Sequence, residues 1–220
     1  MIFSNILQKK PGRDVRKYFD EIASQWDSMS KEFYSEKVRA SILSMINPEP
    51  GHMIADLGAG TGFVTEGLKD GPASIIAIDK SGEMLKHMKA KFRDSTNIDY
   101  RTGDANHLPV KDNIIDYALA NMYLHHVDNP PNAIREIYRI LKSGGKVILT
   151  DLDAHNFEFL KKEHHDLWLG FSHDEMESWL RAAGFINVHV NPIEEYCCAN
   201  SVKPDKHAKI SIFLATGDKA

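Results

Sequence analysis

The chain has 220 residues, enough for one α/β core with a small appendage. Hydrophobic residues make up 42% and charged residues 26%, a balance that excludes a disordered chain. A formal net charge of −4, with no basic tract beyond a Lys/Arg doublet, argues against a nucleic-acid partner.

At the start, Met1–Leu7 is mostly apolar and Lys9 and Lys10 come after it. Charge behind a short apolar run is the reverse of a signal peptide. No stretch approaches the ~18 apolar residues of a membrane span, so no membrane association is expected. Apolar residues then recur at helical spacing from Asp14 to Met29, through Val15, Tyr18, Phe19, Ile22, Ala23 and Trp26. A second helical run passes through Phe33, Tyr34, Val38, Ile42 and Met45 and stops at Pro48 and Pro50. Together they predict an N-terminal helical cover over residues 1–50.

From residue 51 the periodicity changes. Strand-length apolar runs occupy Met53–Leu57, Ser74–Asp79, Ile98–Arg101, Ile114–Ala120 and Gly145–Thr150. Helical patterns at Thr61–Lys69, Ser81–Arg93 and Asn132–Lys142 separate them, which predicts βαβ units and a parallel sheet. Pro131 suits the first turn of the last helix, and Gly144-Gly145 breaks the chain after it. Beyond Thr150, Ser172-His173-Asp174-Glu175 reads as a capping box opening a helix that ends at Gly184. Strands at Ile186–Val190, extending toward Tyr196, and Ile210–Ala215 have no helix between them and predict an antiparallel pair at one sheet edge. The expected fold is α/β: a Rossmann-like, doubly wound, mostly parallel seven-stranded sheet with that edge pair. Residues 51–220 form its core.

Asp56-Leu57-Gly58-Ala59-Gly60-Thr61-Gly62 lies between the first strand and the helix predicted after it. Glycines there allow a tight turn and a ligand laid against bare backbone, at the strand ends where doubly wound sheets bind ligands. Phe63 stands where a dinucleotide fingerprint has its third glycine, and the Gly-Lys-Ser/Thr of a P-loop is absent. Asp56 would repel a phosphate and favour a cationic ligand. Asp79 ends the second strand, where a carboxylate can accept both hydroxyls of a ribose. Lys80 is next to it. Gly103-Asp104-Ala105 ends the third strand, where Asp104 could accept from an adenine amino group. Met84 and Leu85 could wall the purine.

The run Asp56–Gly62, with Asp79 and Gly103-Asp104-Ala105, resembles the successive motifs of class I S-adenosylmethionine-dependent methyltransferases over about Met53–Thr150. Tyr18-Phe19-Asp20-Glu21-Ile22-Ala23-Ser24-Gln25-Trp26-Asp27 is similar to the lead-in helix of the quinone-ring and related small-molecule group. The resemblance implies S-adenosylmethionine as cofactor, contacted from above by Tyr18 or Trp26, and a small-molecule methyl acceptor. Packing alone explains those aromatics as well.

Methyl transfer is an in-line displacement that requires alignment first, and a base only for an acceptor that keeps its proton. Asn121-Met122-Tyr123-Leu124-His125-His126, after the fourth strand, should face the reactive methyl. His125 or His126 is the candidate base, although either could simply bond backbone at a helix start. Asn129-Pro130-Pro131-Asn132 looks like an amino-methyltransferase signature, but comes about nine positions late, lacks the aromatic and reads as helix punctuation. Residues 152–207 should supply the acceptor pocket. They hold His155, His164, His165, His173, His189 and His207, with Cys197 and Cys198. Neighbouring strand residues face opposite ways, and no His/Cys spacing matches a zinc site, so no metal is expected. The adjacent cysteines suggest no disulfide and a reducing, cytoplasmic setting. A homodimer is compatible with this reading. The alternatives are a non-catalytic S-adenosylmethionine-binding regulator, a metalloid methyltransferase using Cys197 and Cys198, and a nicotinamide oxidoreductase, against which Phe63 and Asp56 argue.

Overall fold

Five parallel strands, β1 (Met53–Leu57), β2 (Ser74–Asp79), β3 (Ile98–Thr102), β4 (Ile115–Asn121) and β5 (Leu141–Leu152), form the body of the sheet in the computed structural model, which describes residues 15–203 and 206–220. Two antiparallel strands, β6 (Phe185–Asn200) and β7 (His207–Lys219), complete it in the order β3-β2-β1-β4-β5-β7-β6. The runs Ile54–Leu57, Ile75–Ile78 and Ala118–Asn121 are buried throughout, as parallel strands covered on both faces must be. Strand order reverses between β1 and β4, and such a reversal opens a crevice at the carboxyl ends.

The helices are α1 (Val15–Ile22), α2 (Trp26–Phe33), α3 (Glu36–Leu43), α4 (Gly82–Lys91), α5 (Pro130–Ile140), α6 (Phe159–Glu163) and α7 (His173–Ala183). The expected helix start at Asp14 and the run Met1–Lys10 lie outside the described residues. A 3-10 turn at Ala23–Gln25 divides the expected first helix. Tyr34, in extended backbone, ends α2, and Ser35 caps α3 by accepting the Lys37 N–H at 3.1 Å. Val38 and Ile42 of α3 are fully buried in a core cluster with Ile54, Ile75, Leu119 and Ile148. Tyr18, Ile22 and Ala23 instead form a separate cluster with Met84 of α4.

No α-helix forms over Thr61–Lys69. The segment makes turns and one 3-10 turn at Thr65–Gly67. The Thr65 N–H donates to Asp56 Oδ2 at 3.1 Å, so it is withdrawn from the ladder that an α-helix would use. α5 begins earlier than expected because Asn129 caps it, its side chain accepting the Asn132 N–H at 3.2 Å, with prolines at the first two positions. Asn129–Asn132 is helix punctuation, as its residue types suggested. β5 starts before the glycine pair. A register shift between Ile115↔Leu141 and Tyr117↔Lys146 absorbs the extra residues, with Gly144 at φ +80°. β6 runs past Tyr196 and through Pro192, which an edge strand tolerates. α7 has the capping box at Ser172 and Glu175, and Gly184 ends it at φ +107°. Among the described residues no helix is long and apolar enough to cross a membrane.

Candidate active site

A cavity of about 440 Å³ opens at the β1/β4 reversal. The site residues expected from the sequence line it, except Gly62 and Leu85, which packs instead with Ala77, Met88 and Phe92. That glycine faces the other way: a Cβ there would come within 2.4 Å of the Phe92 ring, so Gly62 lets α4 pack against the loop and does not touch the cavity. Gly58, at φ +64°, lies so close to the Tyr123 ring that a Cβ would sit 2.4 Å from it. Ala59 fixes the loop by donating its N–H to the Ile78 carbonyl at 3.0 Å.

The three carboxylates do different work. Asp56 is 1% exposed, and its Oδ2 accepts the Thr65 hydroxyl at 2.6 Å as well as the Thr65 N–H. Burial pushes its carboxyl up to about 7 against the pull of those hydrogen bonds, with Asp79 adding to the rise. Asp56 thus closes the loop, a task the sequence did not suggest. Asp79 Oδ2 accepts the Gly60 N–H at 2.8 Å and Oδ1 accepts the Ser81 N–H at 2.8 Å. Asp79 also lines the cavity. Burial raises the Asp79 pKa, with the backbone N–H groups of Ser81, Gly60 and Lys80 opposing. Asp104 pairs with Lys80 at 3.1 Å and accepts the Asn106 N–H at 2.9 Å. Although burial works the other way, these partners hold it below the usual carboxylate range. Lys80 is therefore committed to Asp104. Gly103 and Ala105 flank that carboxylate at the same rim of the cavity.

The cover is tied to this end. Asp20 of α1 accepts the Ser81 hydroxyl at 2.6 Å, and Asp27 of α2 accepts the Thr61 hydroxyl. Tyr18 and Trp26 line the cavity, with Tyr18 stacked on His165 at 4.4 Å between ring centroids. Met84 sits beneath them, fully buried, within reach of both cover and cavity.

At the far end, β4 stops at Asn121, whose amide oxygen accepts the Thr150 hydroxyl at 2.9 Å. Met122, at φ +50°, turns the chain into a 3-10 turn, Leu124–His126. Asp151, at the tip of β5, anchors that turn: Oδ2 accepts the Leu124 N–H at 2.9 Å, and Oδ1 meets His125 Nδ1 at 2.7 Å. Burial alone would lower the His125 pKa, but the Asp151 carboxylate and its hydrogen bond raise it to about 9. Burial and the charge on His125 keep His126 well below the ordinary imidazole value. His126 Nδ1 faces the His165 carbonyl at 3.4 Å.

Sequence reasoning missed Asp151 and Asp166. Asp151 carried the same signal as Asp79 and Asp104, an acid at a strand tip. Asp166 carried none, because the short loop after α6 brings it to the cavity. The other expected pocket residues scatter. His164 and Cys197 line the cavity, while Cys198 does not, as strand alternation requires. His173 pairs with Asp153 at 2.8 Å. His189 and His207 lie on β6 and β7.

These features suit a cofactor bearing positive charge and no phosphate. The loop offers bare backbone, acids occupy two strand tips, and the one nearby lysine is paired. A methyltransferase-domain family model matches residues 55–149, which span this half of the cavity. The demethylmenaquinone methyltransferase of Thermobifida fusca is 30% identical over 174 residues, covering 75% of this chain and 70% of that protein. That of Renibacterium salmoninarum is 30% identical over 154 residues, covering 69% of this chain and 63% of its own length. The fold matches Haemonchus contortus phosphoethanolamine N-methyltransferase 2, solved with phosphomonomethylethanolamine and S-adenosylhomocysteine, at a TM-score of 0.75 and 16% identity, over 94% of this chain and 60% of that one. The chain belongs to the class I S-adenosylmethionine-dependent methyltransferases.

Proposed function

We propose that the protein transfers a methyl group from S-adenosylmethionine to a planar small molecule of the hydroquinone type. The observation that carries this is a single cavity in which the glycine loop and strand-tip acids meet an aromatic and histidine surface. The glycine-loop end would hold the cofactor: Asp79 takes the ribose hydroxyls, Asp104 the adenine amino group, and Met84 walls the purine. The cofactor supplies the electrophilic methyl. The other end mixes Phe19, Phe33, Tyr34 and Phe63 with His125 and His126, a surface for a flat ring carrying a hydroxyl. The names of the two demethylmenaquinone relatives support that acceptor class. Calorimetry should show binding of S-adenosylmethionine and S-adenosylhomocysteine and none of NAD. Tighter binding of NAD would refute the cofactor assignment.

Of the two histidines, His126 is the proposed base. His125 has its Nδ1 committed to Asp151 and keeps its proton, so it serves the acceptor oxygen as a charged hydrogen-bond donor. His126→Gln should lower kcat about 100-fold or more, general-base catalysis being worth roughly 10²–10⁴-fold. An unchanged kcat would remove His126 from the mechanism.

α1 and α2 act as a lid in this reading. Tyr18, Phe19, Ile22, Trp26 and Met29 cluster with Met84, only Phe33 at the end of α2 packs on a large core, and polar ties through Asp20 and Asp27 can break without opening the sheet. Water must be excluded while the methyl moves, yet acceptor must enter and product leave. Deleting Met1–Met29 should leave the sheet folded and reduce cofactor affinity and turnover together. Hydrogen exchange over 15–29 should slow when S-adenosylhomocysteine is added. Unfolding of the truncated chain would make these helices part of the permanent core. A cytoplasmic setting agrees with two adjacent free thiols, Cys197 and Cys198, and cell fractionation checks it.

A further inference from the structure

Asp166 is 6% exposed, lines the cavity, and its carboxylate takes no hydrogen bond or ion pair from any described residue. Its carboxylate opens onto the cavity, where a ligand can reach it. It faces His125 and His126: one ligand atom from each of the three lies within 4.8 Å of the other two. We infer that His125, His126 and Asp166 form a binding site for a divalent transition-metal ion, with the ion's open positions facing the acceptor end of the cavity.

Three features carry this beyond proximity. First, the donor set is two imidazoles and a carboxylate, which suits zinc or ferrous iron and does not suit magnesium. Second, the imidazoles already have outer partners. Asp151 holds His125 Nδ1 at 2.7 Å and is itself fixed by the Leu124 and Leu152 N–H groups, at 2.9 and 2.8 Å. The His165 carbonyl faces His126 Nδ1 at 3.4 Å. Metal-ligating histidines typically have such a carboxylate or carbonyl on the nitrogen that does not bind the ion. Third, the distances are close to closing. Tetrahedral ligands at about 2.1 Å from an ion sit about 3.4 Å apart, so movements of about an ångström complete the site. Cys197 lines the same cavity but is not one of the three groups.

The site shares residues with the proposed catalytic end: occupancy would use the lone pair that His126 needs as a base and would release the His125 Nε2 proton to solvent. Bound zinc should therefore inhibit methyl transfer in proportion to occupancy. The two readings fail separately. A wild-type protein that transfers methyl but binds no zinc rejects the metal site alone. Zinc binding combined with full activity in His126→Gln rejects the base alone.

The test titrates Zn²⁺ into chelator-treated full-length protein by calorimetry, with Co²⁺ absorption as a second readout of imidazole coordination. One equivalent of zinc should bind, and Mg²⁺ should not. Asp166→Asn and His126→Gln should each weaken zinc binding about 100-fold, and Asp151→Asn about 10- to 100-fold through His125. Cys197→Ser should leave it unchanged. S-adenosylhomocysteine binding in each variant reports an intact fold, and half-buried His126 keeps the test open if Asp166→Asn does not fold. Absence of a stoichiometric zinc event overturns the inference. So do affinities unmoved by Asp166→Asn and His126→Gln, or binding lost in Cys197→Ser.

Discussion

Asp151→Ala is expected to remove about 3–5 kcal/mol of folding stability, the usual consequence of taking one partner from a buried ion pair. The Asp151 side chain is 1% exposed and that of His125 6% exposed. Its oxygens also accept the Leu124 and Leu152 N–H groups, so alanine would strand backbone donors along with the imidazolium. Urea denaturation of metal-free protein measures the loss. Asp151→Asn retains an acceptor and should fall between alanine and wild type. The pH dependence gives an independent check. The folded His125 pKa lies near 9, above its ordinary 6.5, so the pair's contribution is fully present below pH 6.5. It is lost as pH rises through about 9, because the unfolded chain has already released that proton. Asp151→Asn should flatten the wild-type decline in stability between pH 6.5 and 9. A variant with wild-type stability and slope would show that the pair is not coupled to folding.

Asp79→Ala should weaken S-adenosylhomocysteine binding by about 1–3 kcal/mol, roughly 5- to 150-fold in Kd. Two effects combine. Ribose hydroxyls would lose their acceptor, and the Gly60 N–H would lose the bond at 2.8 Å that holds the glycine loop against β2. The upper half of the range is expected, because the loop must then be ordered at binding. Calorimetry with a thermal melt as the folding control decides it. A folded variant with unchanged Kd would refute the ribose assignment. Asp104→Ala, at a more exposed strand tip already satisfied by Lys80 and Asn106, should lose less.

What the sequence determined by itself is whatever depends on local periodicity and on residue types fixed at strand ends. Uninterrupted apolar runs specify buried parallel strands, so β1 and β2 were legible to the residue. Ser172, Glu175 and Gly184 bounded α7 through their own hydrogen bonds and backbone angle. Glycines at 58 and 60, with acids at 79 and 104 after them, come to one cavity because each sits next to a strand that carries it there. Tertiary structure decided the rest, wherever a distant group captured a backbone donor or supplied a partner. Asp56 took the Thr65 N–H and abolished a helix that the apolar spacing predicted. The same periodicity describes α1 and α3, yet α3 packs in the large cluster with sheet residues and α1 in a separate one with Met84. His125 and His126 are adjacent and chemically identical in the sequence. Asp151, 26 residues from His125, raises the pKa of that histidine, whereas burial and the charge on His125 lower that of His126. Asp166 reaches them only because β4, β5 and the loop after α6 converge at one end of the sheet, and no local pattern records a convergence of that kind.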